Sequence, residues 1–140
     1  MNQSKIFSIL IVIFLLSLSF AGCEKVQINL PNESDLKSIA LSESTGENNT
    51  YITITSNEEI RNIIDSIKLD SKQTSIESVN DTPTNIDDYI KLEFSHYTEG
   101  SSVAYVYKIK NRYYIEQPYV GIWEITKEPY NKVYTLFNDK

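Results

Sequence analysis

The chain predicts an α+β domain: an antiparallel sheet of about five to six strands, one amphipathic helix packed on it, and a short C-terminal helix. Three observations lead there. Isoleucines stand at 60, 63, 64 and 67, the i, i+3, i+4, i+7 spacing of a helix with one buried side. From Tyr89 onward apolar and polar residues alternate, interrupted by turn-formers at Glu99-Gly100-Ser101 and Lys110-Asn111. The last segment returns to helical spacing at Tyr130, Val133, Tyr134 and Phe137. No internal repeat is visible.

Taken in order, residues 36–41 (LKSIAL) predict a short strand, and residues 42–50 (SESTGENNT) a polar loop. Residues 51–55 (YITIT) are β-branched and alternating, so they predict a second strand. Ser56 follows as a helix cap with Glu59 three residues on, a capping box. Glu58, Arg61, Asp65 and Lys68 take the side of the helix opposite the isoleucines. At ~1.5–3 kcal/mol for each fully buried isoleucine, that stripe must lie on a sheet. Residues 73–79 are a further candidate strand, ended by Asn80-Asp81-Thr82-Pro83, whose residue types favour turns. The strand at 89–97 puts Ile90, Leu92 and Phe94 on one face and Lys91, Glu93 and Ser95 on the other. The next strand aligns Val103, Tyr105, Tyr107 and Ile109, a third covers 112–117, Pro118 breaks the ladder, and 121–125 closes the sheet. Thr126 caps the final helix, with Pro129 in its first turn.

The first 22 residues are of another kind. Lys5 precedes an apolar run from Ile6 to Phe20, and Ala21 and Gly22 lead into Cys23, the single cysteine. This is the layout of a secretory signal, and the run is short of the ~20 apolar residues that cross a bilayer. The terminal Phe-Ala-Gly-Cys resembles the lipobox of bacterial lipoproteins. That resemblance implies a diacylglyceryl group on the Cys23 thiol and cleavage that leaves Cys23 as the mature N-terminus. The expected organisation is a signal peptide at 1–22, a lipidated tether at 23–35 and one α+β domain at 36–140. The expected location is the extracytoplasmic face of the bacterial cell membrane, with the membrane contacted through the lipid.

Without the leader 118 residues remain, enough for one core, and no disulfide staples them. Loss of Lys5 takes the net charge from −6 to −7. A negative surface repels phosphate backbones, so nucleic acid is not an expected partner.

Catalytic assets are sparse. His96, the single histidine, extends the Ile90, Leu92, Phe94 face to the strand end, where the plain reading is a side chain at the rim of the core. No Gly-x-Ser-x-Gly elbow accompanies it. One histidine and a lipidated cysteine do not make a zinc site. The acids Glu77, Asp81, Asp87 and Asp88 lack the spacing of an EF-hand loop. The expectation is therefore no enzyme, no cofactor and no metal. The alternative is a small envelope-acting enzyme using His96 or the Asp87/Asp88 loop.

The aromatic content says more. Nine tyrosines, two phenylalanines and Trp123 lie between Tyr89 and Phe137. Tyr113, Tyr114, Gln117, Tyr119 and Trp123 cluster around Pro118, and adjacent Tyr113 and Tyr114 must face opposite sides of a strand. Tyrosine and tryptophan dominate binding hot spots, which makes these five the candidate binding surface. The plain alternative is that they cover a thin core.

The stretches ITSNEEIRNIIDSI, ESVNDTP and YYIEQPYVGIWEI resemble a family of small Firmicutes lipoproteins known only as a domain of unknown function. The resemblance implies an extracytoplasmic domain behind a lipobox and transfers no catalytic residue. The resulting expectation is a protein- or peptide-binding module of the bacterial envelope.

Overall fold

The computed structural model describes residues 27–44 and 51–138; the leader, Cys23 and residues 45–50 lie outside the described residues, and of the polar loop expected at 42–50 Ser42 and Glu43 instead belong to the first strand. A 3-10 turn at Glu33–Asp35 leads into β1 (Leu36–Glu43), β2 (Tyr51–Ile54) and α1 (Asn57–Asp70). Then come β3 (Lys72–Gln73), β4 (Tyr89–His96), β5 (Ser101–Ile109), β6 (Arg112–Gln117), β7 (Gly121–Ile125) and α2 (Lys127–Asn138). The strands form one sheet in the order β2-β1-β4-β5-β6-β7-β3, every pair antiparallel. The described residues thus form an α+β fold with one antiparallel sheet and two helices, as expected, but with seven strands rather than five or six. Both edge strands are short, which limits the unpaired backbone offered to other chains.

The helices lie on one face. Ile60, Ile63, Ile64 and Ile67 are all buried, as their spacing predicts, and Ser56 Oγ accepts from the Glu59 N–H at 3.4 Å. They join Ile39 and Leu41, Ile52 and Ile54, Ile90, Leu92 and Phe94, Ala104 and Val106, Ile115, and Trp123 and Ile125 in one core, an alternating set from every strand but β3. From α2, Val133 is buried and Tyr130 and Leu136 pack at the edge, while Tyr134 is 41% exposed; the Phe137 side chain lies outside the described ones. Thr126 Oγ1 donates to Asp70 Oδ2 at 2.8 Å and Lys132 Nζ to the Asn62 carbonyl at 3.2 Å, pinning the helices together at two places.

The tether expected at 23–35 is packed from Ile28 onward. Ile28 and Leu30 are each 3% exposed within the helix-side core, because their alternation presents two branched aliphatics to it. Gln117 Nε2 donates to the Asn29 carbonyl at 3.1 Å, Lys68 Nζ to the Pro31 carbonyl at 3.4 Å, and the Tyr97 N–H to the Asp35 carbonyl at 3.0 Å. The domain therefore starts before residue 36.

The segment expected as a strand at 73–79 is a second correction. Only Lys72 and Gln73 join the ladder, followed by one more bond from the Thr74 N–H to the Ile122 carbonyl at 2.9 Å. Residues 74–88 then leave the edge and cross the face opposite the helices as an irregular strap. Beneath it lie Tyr105, Tyr107, Tyr114 and Ile122, with Ile86, Tyr89 and Val103 packed around them. The strap is fastened at Glu116, a carboxylate only 4% exposed. Ser78 Oγ donates to its Oε1 at 2.6 Å and Tyr107 Oη to its Oε2 at 3.0 Å. A buried carboxylate is tolerable only with such donors. Burial, the Glu116 charge and that hydrogen bond together push the Tyr107 hydroxyl well above the ordinary tyrosine value of 10.0.

Two stability predictions follow from this packing. Ile64 is fully buried, so Ile64→Asp sets an unpaired charge against the sheet. The loss, at least ~4 kcal/mol, is a large part of a small domain's stability. Circular dichroism of that variant should show no cooperative melt; a wild-type melting curve would mean that α1 is not packed on the sheet.

Tyr107 gives the second, and its sign is set by its raised value. The unfolded chain ionises tyrosine near pH 10.0, whereas the fold holds Tyr107 neutral. Its stabilisation is complete below pH ~10 and is lost as pH rises above that. Tyr107→Phe should lower stability at pH 7 by ~1.5–3 kcal/mol, the worth of a hydrogen bond to a charged group. It should also lose less stability between pH 9 and 11, on the order of the titration window. Urea unfolding across that range compares the two slopes, and coincident slopes would show that Tyr107 is not the group responsible.

Candidate functional site: the open half of the tyrosine-rich sheet

The strap is too short to cover the whole of its face. One register row shows the division: Tyr51, Ser42, Lys91, Tyr105, Glu116 and Ile122 stand side by side on six adjacent strands. Glu116 and Ile122 are beneath the strap, while Ser42 and Lys91 are half-buried and Tyr51 is 64% exposed. The row beside it carries Thr53, Ala40, Glu93 and Val103. On β1 the side chains of this face are small, Ser38, Ala40 and Ser42.

Where the open half meets the strap there is a hollow of about 420 Å³ lined by Asp81, Lys91, Ser102, Val103, Tyr105 and Pro118. Its floor is apolar: Val103, and the Tyr105 ring, which meets Tyr89 edge-on at 5.1 Å between centroids. Burial holds the Tyr105 hydroxyl above its ordinary range, so it stays protonated, able to donate and accept. Lys91 Nζ lies 2.8 Å from Glu93 Oε2, and that hydrogen bond keeps the ammonium charged. An apolar floor with the Lys91 ammonium and the Asp81 carboxylate among its lining suits recognition of an amphipathic ligand.

Of the five residues singled out from sequence, no single surface emerges. Tyr114 is under the strap, stacked on Tyr107 at 5.7 Å. Tyr113, Gln117 and Trp123 belong to the helix side, because β6 and β7 alternate and the register pairs Ile115 with Trp123. Tyr113 packs on Tyr130 of α2 at 4.6 Å. Trp123 is 1% exposed, and its ring lies over Gly121, where an added Cβ would meet it at 3.1 Å. Gln117 is 9% exposed and holds the N-terminal segment; its Oε1 is buried and finds no donor among the described residues.

Tyr119 alone reaches solvent, at 65% exposure. It occupies the third position of the Gln117–Val120 turn with φ +61°, after Pro118 and closed by the Val120 N–H to the Gln117 carbonyl at 3.0 Å. Glycine or asparagine is usual there, and an L-residue in that conformation costs about 1–2 kcal/mol. Tyr119 Oη donates to Asp81 Oδ1 at 3.0 Å, tying the turn to the strap and raising the hydroxyl's pKa.

The residues of the enzymatic alternative are kept apart. His96 is half-buried at the rim, with Nε2 3.2 Å from Ser102 Oγ, and shares a hollow of about 360 Å³ with Asp35 and Gln117. Asp87 and Asp88 are at the other end of β4, where the Asp87 carbonyl accepts from Ser44 Oγ at 2.6 Å. Among the described residues no group of three or more His, Cys, Asp or Glu side chains is placed to hold a metal ion.

Lys91, Glu93, Val103 and Tyr105 were visible in the sequence only as alternation. Lys91 and Glu93 read as the outward side of their strand, but which set on β5 joins them depends on the Lys91–Tyr105 pairing.

Comparison with solved structures finds an NMR structure of a protein from Ruminococcus gnavus, with a TM-score of 0.58 and 24% identity. The match covers 74% of this chain and 98% of that one, and at this identity it concerns the fold. Comparison with curated proteins gives no match. The family model DUF5301, described as a domain of unknown function (DUF5300), matches residues 24–124, a span that includes the packed Ile28 and Leu30 and reaches from β1 into β7. The chain belongs to that family of domains of unknown function.

Proposed function

We propose that this chain is a lipid-anchored extracytoplasmic module of the bacterial envelope that binds a protein or peptide. The observation that carries the binding reading is the half of the strap-side face that the described residues leave uncovered. A sheet that buries one side and leaves this much of the other accessible has a recognition surface at hand, with the 420 Å³ hollow as its deepest point. The partner side chain that fits the hollow is apolar or aromatic, with a polar end meeting Lys91, Glu93 or Asp81. Anchoring is supported by the Phe20-Ala21-Gly22-Cys23 sequence behind an apolar leader. Two or three acyl chains hold a protein firmly where one does not.

Address and binding are tested separately. Metabolic labelling with a palmitate analogue should mark the wild-type protein and spare Cys23→Ala; equal labelling of both would remove the address. For the surface, a photocrosslinking amino acid at Ser42 should give discrete adducts in intact cells, and one at Lys110 on the β5–β6 turn should not. Adding Lys91→Ala and Val103→Ser should reduce the Ser42 adducts at least ~5-fold, about 1 kcal/mol, with little change in melting temperature. Adducts that persist through those changes would place recognition elsewhere.

A further inference from the structure

We infer that the end of the sheet carrying the β4–β5 and β6–β7 turns rests on the lipid bilayer, with Tyr97, Tyr119 and Val120 at the membrane–water interface. This rests on the lipidation of Cys23 proposed above, and it adds an orientation that lipidation alone does not supply.

The argument starts from where the described chain begins. Cys23 and Ile28 are five residues apart, and Ile28 is buried. At about 3.6 Å per extended residue the lipidated cysteine is at most ~18 Å from the core. The next residue, Asn29, is held by Gln117, the last residue of β6 before the Pro118–Val120 turn. The segment then runs along the same end of the sheet to Asp35, whose carbonyl accepts from the Tyr97 N–H in the β4–β5 turn. β4 and β6 run in the same direction, separated by antiparallel β5, so both turns project from the end where the leash is attached.

Those turns carry exposed apolar surface. Tyr97 is 67% exposed, Tyr119 65% and Val120 61%. Ile76 (56%) and Val79 (62%) of the strap border one hollow with Tyr119 and Val120. Large apolar side chains concentrated on projecting tips suit a flat, soft partner, since a bilayer touches several tips together. Tyrosine is favoured at that interface because its ring is apolar and its hydroxyl is wet. Tyr119 has a left-handed backbone, strained for a tyrosine, and with its hydroxyl bonded to Asp81 its ring still stays 65% exposed at the turn. The charges at this end are more acidic than basic, Glu33, Asp35, Glu77, Asp81 and Glu99 against Lys37, Arg61 and Lys68, so the favoured surface is a zwitterionic one. Resting on this end leaves the open half of the sheet facing sideways, free for a partner.

The test uses the full chain, expressed with its leader, extracted and reconstituted into phosphatidylcholine vesicles with brominated acyl chains. Tyr97→Trp and Tyr119→Trp are compared with Ile109→Trp at the opposite end of β5 and with wild type, whose Trp123 is buried. The two tip probes should be quenched at least twofold more than Ile109→Trp, and the difference should shrink as phosphatidylglycerol is added. Intact mass of the same samples reports the lipid on Cys23. Lipid present with tip probes no more quenched than Ile109→Trp overturns this inference alone. Lipid absent from Cys23 overturns the anchoring reading, and the short leash with it.

Discussion

A sheet has two faces, and among the described residues helices cover only one of them. That constraint organises the rest of the molecule. α1 and α2 cover the side where Ile39, Leu92, Val106, Ile115 and Trp123 are lined up. The other side is left to fifteen irregular residues, 74–88, which extend far enough to cover β6, β7 and the adjoining part of β5. A strap without its own ladder needs a fastening, and the chain supplies it as Glu116 with Ser78 and Tyr107. Replacing such a buried polar cluster by apolar residues often changes little in stability, whereas removing one partner is severe. The cluster thus determines where the strap lies more than how stable the domain is.

The same shortage of covering material produces the candidate site. Where the strap ends its coverage, the face is lined by Lys91, Glu93, Val103 and Tyr105 rather than by a continuous apolar layer, which suits a surface that meets water. The hollow beside Tyr105 exists because Asp81 and Pro118 are brought together by the Tyr119–Asp81 hydrogen bond. Packing, site and turn are one arrangement, so a change at Tyr119 acts on the hollow as well as on the tip.

The N-terminal segment contributes more than a link. Ile28 and Leu30 complete the helix-side core at the end where β1, β4 and β6 expose their termini. Fixing that segment by Gln117, Lys68 and the Tyr97 amide also fixes the direction in which the chain leaves the domain. Under the proposed lipidation of Cys23, the short path makes orientation a consequence of packing, where a long flexible tether would leave it free.

What the sequence determined by itself was whatever depends on neighbours along the chain. The isoleucine stripe and the Ser56 cap needed only helical spacing. The alternation in β4, the turns at Gly100 and Lys110, and the break at Pro118 needed only the period of a strand and the residue types that favour turns. Tertiary structure decided the rest, since each remaining question concerned which of two faces a side chain joins. Tyr113 and Tyr114 had to diverge, but the direction of each follows from the pairing of β6 with β5 and β7. Trp123 read as a binding aromatic until that pairing placed it over Gly121, inside the core. Residues 74–79 carried strand-like composition, yet Ser78 had to meet a carboxylate thirty-eight positions away, a contact no local pattern encodes. Ile28 and Leu30 lie in the stretch expected as a tether, and only the helix-side core, far away in the chain, gives these two aliphatics something to pack on. Local periodicity specifies elements, whereas the choice of face and partner depends on contacts between residues far apart in the chain.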